Sequence, residues 1–415
     1  MFDFIMDEDR IRLRDEARAF TKWVPKQLIL DMDAEKIQFP HEYLLEAGRR
    51  NLLGIRIAKQ YGGRGLSWVD DGIVAEEIGV ASYSLACLWG VGADIVAEAI
   101  CEYGSEKLKQ EIVVPLLAGK VYAAEGLTEP RGGSDFFGAT TKAVKDGNGY
   151  RLTGQKRFIV GGEGADYFLI YAKTDEAAPA HKSLTAFIVP RTEGLETKYI
   201  YGLMGVRGGG AARLVLKDVY VPEENILGGL NNGFEVFQRM MIPERLGTAS
   251  MTIGSVRPAV EIATKYTSKR KAFGFAIQNF QAVGFKVADA VMLLDAARSM
   301  CYSTSLAIDS GKVTPGRARR MVSQSKKFVT ESCWEAVNNA MQVMGGIGYT
   351  NVYPIERMLR DMRLSMIWVG TNEIMQYIIQ TEWYKEYWKS VSKVDQRDVE
   401  ADALNADAEE EKVYE

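Results

Sequence analysis

Histidine is nearly absent from this 415-residue chain: only His41 and His181 occur, far apart in sequence. Cysteine is sparse as well. Cys87, Cys101, Cys301 and Cys333 lack the paired spacing of a metal finger, so a bound metal and His-based proton transfer both fit poorly. No run reaches the roughly 18 uncharged apolar residues that a membrane span needs. The nearest, Ile78 to Ala93, is bracketed by Glu77 and Asp94 and diluted with Ser and Gly, and reads as a buried helix. The opening residues turn acidic at once, without the basic-then-apolar layout of a signal peptide, so a cytoplasmic location is the default expectation.

A block of Lys and Arg is also missing. The formal net charge is −4, but Asp395 to Glu415 holds nine acids against Arg397 and Lys412, so the tail carries −7 and residues 1–394 carry +3. A nearly neutral body without a basic stripe offers little to a nucleic-acid backbone. What is present is ordinary globular usage, 47% apolar and 26% charged, in a chain long enough for about two to three domains.

From Asp7 to about Gly119 the pattern is helical, with Ala17, Phe20 and Val24 on one face, a helix start at Pro40 before Glu42–Arg50, and a break at Tyr61-Gly62-Gly63. Composition changes near Glu125. Up to about Asn232, short alternating runs lie between glycine-rich turns: Thr141–Val144, the turn 146–149, Tyr150–Leu152, Tyr167–Ala172, Leu184–Val189 and Leu214–Val221. After Gly233 apolar residues step by three or four through Leu246, Ala249, Ile253, Val256, Val260 and Ala263. The same step runs from Val283 to Cys301 and from Val329 to Val343, so three long helices imply an antiparallel bundle. The expected fold class is α+β: an all-α region 1–124, a β-barrel or sandwich 125–232, an antiparallel four-helix bundle 233–391 and a solvated acidic tail 392–415.

The densest local motif is Leu127-Thr128-Glu129-Pro130-Arg131-Gly132-Gly133-Ser134-Asp135, whose hydroxyls and glycines expose main-chain N–H groups suited to a ring edge or a phosphate. A capped turn would look the same. Four further motifs follow in order: Lys156 to Gly162, Arg270 to Gly274, Gln342 to Tyr349, and Val369 to Glu373. Together, in this layout, the five resemble the acyl-CoA dehydrogenase family over about residues 5 to 390.

The resemblance implies an FAD enzyme that desaturates an acyl-CoA thioester between Cα and Cβ. It assigns Leu127, Thr128, Gly133 and Ser134 to the isoalloxazine and ribityl region, Ser134 also facing substrate, with Phe158 flanking the flavin. Arg270, Phe273 and Gln281 would serve the pyrophosphate and adenine, Thr371 and Glu373 the adenosine side, and Gln342, Gly345 and Gly346 the FAD of a neighbouring subunit. It also implies a homotetramer, a dimer of dimers, and electron-transfer flavoprotein as partner.

Two departures from the family pattern matter. Most similar sequences carry the base directly before the Gly-Thr of the last motif, where this chain has Val369. A minority carry it in the stretch matched by Met241 to Arg245, which makes Glu244 the expected base at the opening of a long helix; a solvated first-turn acid after Pro243, or a dead enzyme, is the alternative. Val369 would still offer its main-chain N–H to the thioester carbonyl, beside Gly370, and Arg245 would lie near the CoA moiety. Val160 stands where the family often has a Thr bonding flavin N5, which leaves open an oxidase, a desulfinase or a non-catalytic flavin-bound scaffold. The relocated base suggests a branched, cyclic, aromatic-bearing or otherwise bulky acyl group, the helix with Trp89 to Asp94 forming the pocket floor; Asp94 is a polar contact there, a second proton acceptor for a cyclic substrate, or an ordinary helix or loop acid.

Overall fold

A computed structural model describes residues 6–390; the acidic tail expected at 392–415 lies outside the described residues. The chain opens with α1 (Glu8–Trp23), α2 (Lys26–Asp33) and α3 (His41–Arg49). The Asp7 carboxylate accepts from the Arg10 N–H at 2.9 Å to cap α1, which buries Leu13, Ala17 and Phe20 along one stripe. α4 (Trp68–Gly79) starts at a reciprocal cap between Ser67 and Asp70. A continuous helical run follows as α5 (Tyr83–Gly90), a π-helical turn Val91–Ala97 and α6 (Glu98–Tyr103), then α7 (Glu106–Leu108) and α8 (Val114–Leu117). Tyr83–Tyr103 is, among the described residues, the one stretch long and apolar enough to cross a membrane, and 83% of its apolar window is buried inside the protein.

The middle of the chain is an eight-stranded sheet that folds into two halves. β2 (Lys142–Asp146), β3 (Gly149–Ile159), β6 (Leu195–Ile200) and β7 (Ala212–Pro222) form one; β1 (Ala123–Gly126), β4 (Tyr167–Lys173), β5 (Leu184–Pro190) and β8 (Ile226–Leu227) form the other. A single Cα pair, Lys142 with Lys173, joins β2 to β4. With so little pairing at the seam, the halves stack as a sandwich, and Tyr150 of β3 meets Phe187 of β5 with ring centroids 5.5 Å apart. β1 runs parallel to β4, pairing Glu125 with Leu169.

The last third is the four-helix bundle: α9 (Gly233–Lys269), α10 (Gln281–Asp309), α11 (Pro315–Met344) and α13 (Asn372–Ser390), with α12 (Ile355–Ser365) before the last. A hairpin of β9 (Lys271–Ala272) and β10 (Phe275–Ala276) links α9 to α10. Leu246, Ala249, Ile253, Val256, Val260 and Ala263 are all buried, as their spacing requires. α9 also packs on α4, where Glu76 accepts from Arg298 at 2.9 Å and Arg257 at 3.1 Å and so ties the first helical region to the bundle. One sequence expectation is corrected here. α9 begins at Gly233, not at Pro243, so Glu244 lies well inside the helix rather than in its first turn. Pro243 supplies no N–H of its own, and the helix continues across the gap because both sides are anchored by buried residues such as Met240, Met241 and Leu246.

Candidate active site

Two regions, one beside the first third of α9 and one at its C-terminal end, collect the residues singled out in the sequence. At the first, the loop Leu127–Asp135 leaves β1 and is pinned by a buried ion pair. Lys156 Nζ donates to Glu129 Oε1 at 2.7 Å, and neither side chain is exposed. Glu129 also accepts from the Thr140 hydroxyl at 2.8 Å and the Thr141 N–H, while Lys156 donates to the carbonyls of Leu127 and Tyr171. Burial alone would push the Glu129 carboxyl up, but the Lys156 ammonium holds it below its ordinary range. The Arg157 N–H donates to the Thr128 carbonyl at 2.9 Å, so loop and β3 move as one unit.

On that unit Gly133 and Ser134 stand exposed, and a Cβ at Gly133 would meet only the Thr128 methyl, at 3.9 Å. Phe158 is half-exposed at φ 61° and packs on Tyr201 with centroids 4.7 Å apart; Val160 is partly buried just past β3. An uncrowded glycine turn beside a presented aromatic ring fits a flat heterocycle.

Glu244, on α9, lies close to Glu125, two residues before that loop. Its Oε2 is buried and has no hydrogen-bond partner among the described residues. Burial, and then the charge of Glu125, push its carboxyl well above the usual range, while Arg245 and Lys326 pull the other way. Glu125 is placed from β1: it accepts from the Tyr171 hydroxyl at 3.3 Å, and Tyr171 packs against Phe237, two helical turns before Glu244 on the same face of α9. Burial pushes Glu125 up to about 7.

The final motif closes the same end. Arg245 is buried, donating to the Val369 carbonyl at 3.4 Å and to Ser323, and burial lowers it to about 10. Lys326 donates to the Gly370 carbonyl at 3.0 Å and to Asn372 Oδ1 at 2.9 Å; burial and the Arg245 charge bring it down to about 7. Val369 and Gly370 have φ of 58° and 83°. For a β-branched residue that is a strained state, held by Arg245 and Lys326 on the adjoining carbonyls. The Val369 N–H has no partner among the described residues. Thr371 and Glu373 sit here, at the start of α13, with the Thr371 hydroxyl accepting from the Ile374 N–H at 3.4 Å.

The second region is a cleft of about 820 Å³ at the far end of α9, lined by Arg270, Lys286, Gln342, Gly345 and Gly346 among others. A Cβ at Gly345 or Gly346 would meet nothing within 4 Å. Cations beside open glycine backbone suit a phosphate. The residues read separately as an adenine end and as a neighbour's contact therefore include members of one cleft, with Phe273, 91% exposed, and Gln281 on the adjoining hairpin and helix start. Tyr266 in its wall follows Glu244 by 22 residues, roughly 33 Å along the helix axis. Thr371 and Glu373 are not among its lining residues.

Sequence reasoning passed over Lys156, Glu129, Glu125, Lys326 and Asn372. Glu129 and Lys156 were inside motifs already noted, and polar residues flanked by apolar neighbours, as in Ala124-Glu125-Gly126, were the available signal. Asp94 is buried in the π-helical turn, 4% exposed.

One prediction arises directly. Removing the Glu125 charge makes Glu244 easier to ionise, so Glu125→Gln moves the acid limb of the rate profile to lower pH, by roughly one unit, about 1.4 kcal/mol. Stopped-flow rates of flavin reduction across pH test this; an unmoved limb means Glu125 does not act on Glu244.

Known proteins match this arrangement throughout. Family models for the acyl-CoA dehydrogenase N-terminal, middle and C-terminal domains match residues 7–120, 124–219 and 231–383. The probable acyl-CoA dehydrogenase YngJ of Bacillus subtilis is 32% identical over 92% of this chain and 100% of its own length. The CarC subunit of the caffeyl-CoA reductase-Etf complex of Acetobacterium woodii is 34% identical over 90% of this chain and 97% of its own. Mitochondrial isovaleryl-CoA dehydrogenase of Solanum tuberosum is 34% identical over 85% and 86%. Among solved structures, butyryl-CoA dehydrogenase from Megasphaera elsdenii superposes with a TM-score of 0.87 at 28% identity, covering 92% of this chain and 100% of that one. The FAD complex of PigA gives 0.87 at 26%, with the same coverage. With all three domains matched and a cofactor site of fitting chemistry, this chain belongs to the acyl-CoA dehydrogenase family, FAD-dependent oxidoreductases acting on acyl-CoA.

Proposed function

We propose that the chain desaturates a bulky acyl-CoA thioester between Cα and Cβ, with Glu244 as the base that removes the α-proton. The observation that supports this reading is the Glu244 carboxyl, one oxygen of which is buried without a partner among the described residues, in a chain whose Val369 offers no proton-accepting group. Its raised proton affinity suits a base working near neutral pH. FAD, when bound, supplies the acceptor for the β-hydride. The free Val369 N–H, aimed by a strained backbone, donates to the thioester carbonyl and so limits the cost of charge building there as the α-proton leaves. Arg245 and Lys326 keep that backbone in place and oppose excessive neutralisation of Glu244.

Leu127, Thr128, Gly133, Ser134 and Phe158 would hold the isoalloxazine, with Val160 leaving that wall without a hydroxyl. Ser134, Gly370 and Asp94 complete the proposed substrate surface. The cleft of Arg270, Gln342, Gly345 and Gly346, with Phe273 and Gln281 adjoining it, lies too far along α9 to take the other end of the same dinucleotide, which supports an oligomer, a dimer of dimers, in which it serves a second copy; Thr371 and Glu373 remain with the flavin end. Exposed Phe273, Phe275 and Phe285 around the hairpin supply the apolar face such an interface needs. The bulky-substrate reading draws on relatives named for isovaleryl and caffeyl thioesters, and electron-transfer flavoprotein as the electron acceptor on the one named as part of an Etf complex. Four free cysteines suit a reducing, cytoplasmic setting.

Anaerobic mixing with a thioester panel tests the reading. Branched or aryl acyl-CoAs are expected to bleach the flavin faster than straight butanoyl- to octanoyl-CoA. The reverse order would end the bulky-substrate part, and bleaching by no thioester would end the dehydrogenase part.

A further inference from the structure

Between Glu244 and the π-helical turn Val91–Ala97 the interior is left unfilled. Gly247, one turn after Glu244, is buried, yet a Cβ built on it would meet only Met251 Cε, at 3.9 Å. Gly90, at the end of α5, is buried too, and a Cβ there would touch only Met251 Cε at 3.4 Å and Asp94 Oδ2 at 3.8 Å. Elsewhere on α9 and on the neighbouring α4 buried glycines mark contact, not space: at Gly254 a Cβ would lie 1.8 Å from the Glu76 carbonyl oxygen, and at Gly79, 2.4 Å from that of Met251. Interiors are close-packed, so a buried glycine whose methyl position is nearly open, beside a second that is met only by the ends of two side chains, marks a chamber. It runs from Glu244 past Met251 to Asp94, and seven residues of α9 give it a length of about 10 Å.

Asp94 closes the far end. Its Oδ2 is buried without a partner, and an unmet buried polar oxygen costs about 1–3 kcal/mol unless something supplies the missing bond. The π-helical turn that carries it adds a residue to the helical turn and re-aims its side chains, a device common at functional sites. The charged groups around it are Arg56, Asp71 and Glu98. Arg56 is already engaged, 3.2 Å from Asp71, paired with Glu98 and 3.8 Å from the centroid of Trp68. Burial, and then Asp71, push the Asp94 carboxyl well up against the pull of Arg56, which favours the protonated form, a hydrogen-bond donor.

We infer that Asp94 is the specificity-determining end of the acyl chamber and that the enzyme takes thioesters whose distal end carries an uncharged oxygen, a hydroxyl or carbonyl, able to accept from it. A distal carboxylate is excluded by Asp71 and Glu98, and an all-hydrocarbon end leaves the carboxyl unmet. The inference rests on the dehydrogenase reading above, and the test separates the two. Flavin reduction is measured with 3-(4-hydroxyphenyl)propanoyl-CoA against 3-phenylpropanoyl-CoA, and with 6-hydroxyhexanoyl-CoA against hexanoyl-CoA, in the wild-type holoenzyme and in Asp94→Leu. The oxygenated member of each pair is expected to react with at least a 10-fold higher kcat/KM in the wild type, and Asp94→Leu to bring the ratio to one or below while still reducing the flavin with the hydrocarbon thioester. A wild-type ratio of one or less, or a ratio unchanged in Asp94→Leu, overturns the role of Asp94 with the dehydrogenase reading intact. No reduction by any of the four would instead sink that reading. If Asp94→Leu does not fold, the wild-type ratio decides.

Discussion

Glu244→Gln leaves the protein folded and yellow with FAD but slows substrate-driven bleaching by roughly 10²–10⁴-fold, the usual weight of a positioned general base. Glutamine keeps the shape and the two polar atoms of the side chain, and among the described residues Glu244 makes no ion pair that its loss would break. Its Oε2 has no partner to lose. The substitution therefore removes proton acceptance and little else, and thermal stability is expected to stay near the wild-type value or rise, because a carboxyl whose ionisation burial and Glu125 oppose is replaced by a neutral amide. Full-rate bleaching by this variant would move the base elsewhere and, with Val369 unable to accept a proton, would leave Glu125 as the next carboxylate to examine.

Lys156→Met has a different signature. It strands Glu129 as an unpaired charge in a site with no exposure, which costs about 3–5 kcal/mol. The loss reaches the cofactor because the same pair locks the Leu127–Asp135 loop to β3 through Thr140, Thr141 and the Leu127 carbonyl. The expected protein unfolds at lower denaturant and elutes largely without FAD. Lys156→Met combined with Glu129→Gln removes both charges and should recover part of that loss, since no lone carboxylate is left buried. Denaturant curves and the flavin-to-protein absorbance ratio read both effects; a single variant as stable and as yellow as the wild type would show that the pair is ornamental to the loop.

Much of this architecture is legible before any coordinates. The three- and four-residue steps from Leu246 to Ala263 and from Val329 to Val343 mark helices because a bundle buries one stripe of each. The runs at Tyr167–Ala172 and Leu184–Val189 mark strands because their residues are short, apolar and bounded by turns. What escapes is what depends on contact. Pro243 looks like a helix start, yet residues before it are held in the helix by burial against the rest of the protein. β1, only Ala123–Gly126, has no pattern of its own and exists through its parallel pairing with β4. The π-helical turn around Asp94 has no periodic signature, and α13 is polar on too many sides to stand out.

The site divides the same way. Motif residues such as Thr128, Gly133 and Arg270 announce themselves by local chemistry. The Glu125–Tyr171–Phe237 line that leads from β1 to the Glu244 face of α9 joins three distant segments, and no local string of residues contains it. Likewise the use of Lys326 and Arg245 to hold Val369 and Gly370 in left-handed backbone appears only once α9, α11 and the start of α13 are brought together.

The length of α9 carries one more consequence. Because a single rod separates Glu244 from Arg270 by roughly 39 Å, an assembly that completes each cofactor site from two copies would divide every site between two chains. A subunit crippled at Glu244 and another crippled at Arg270 would, when mixed, rebuild some whole sites from their undamaged halves, so lesions far apart on one helix would become mutually correctable.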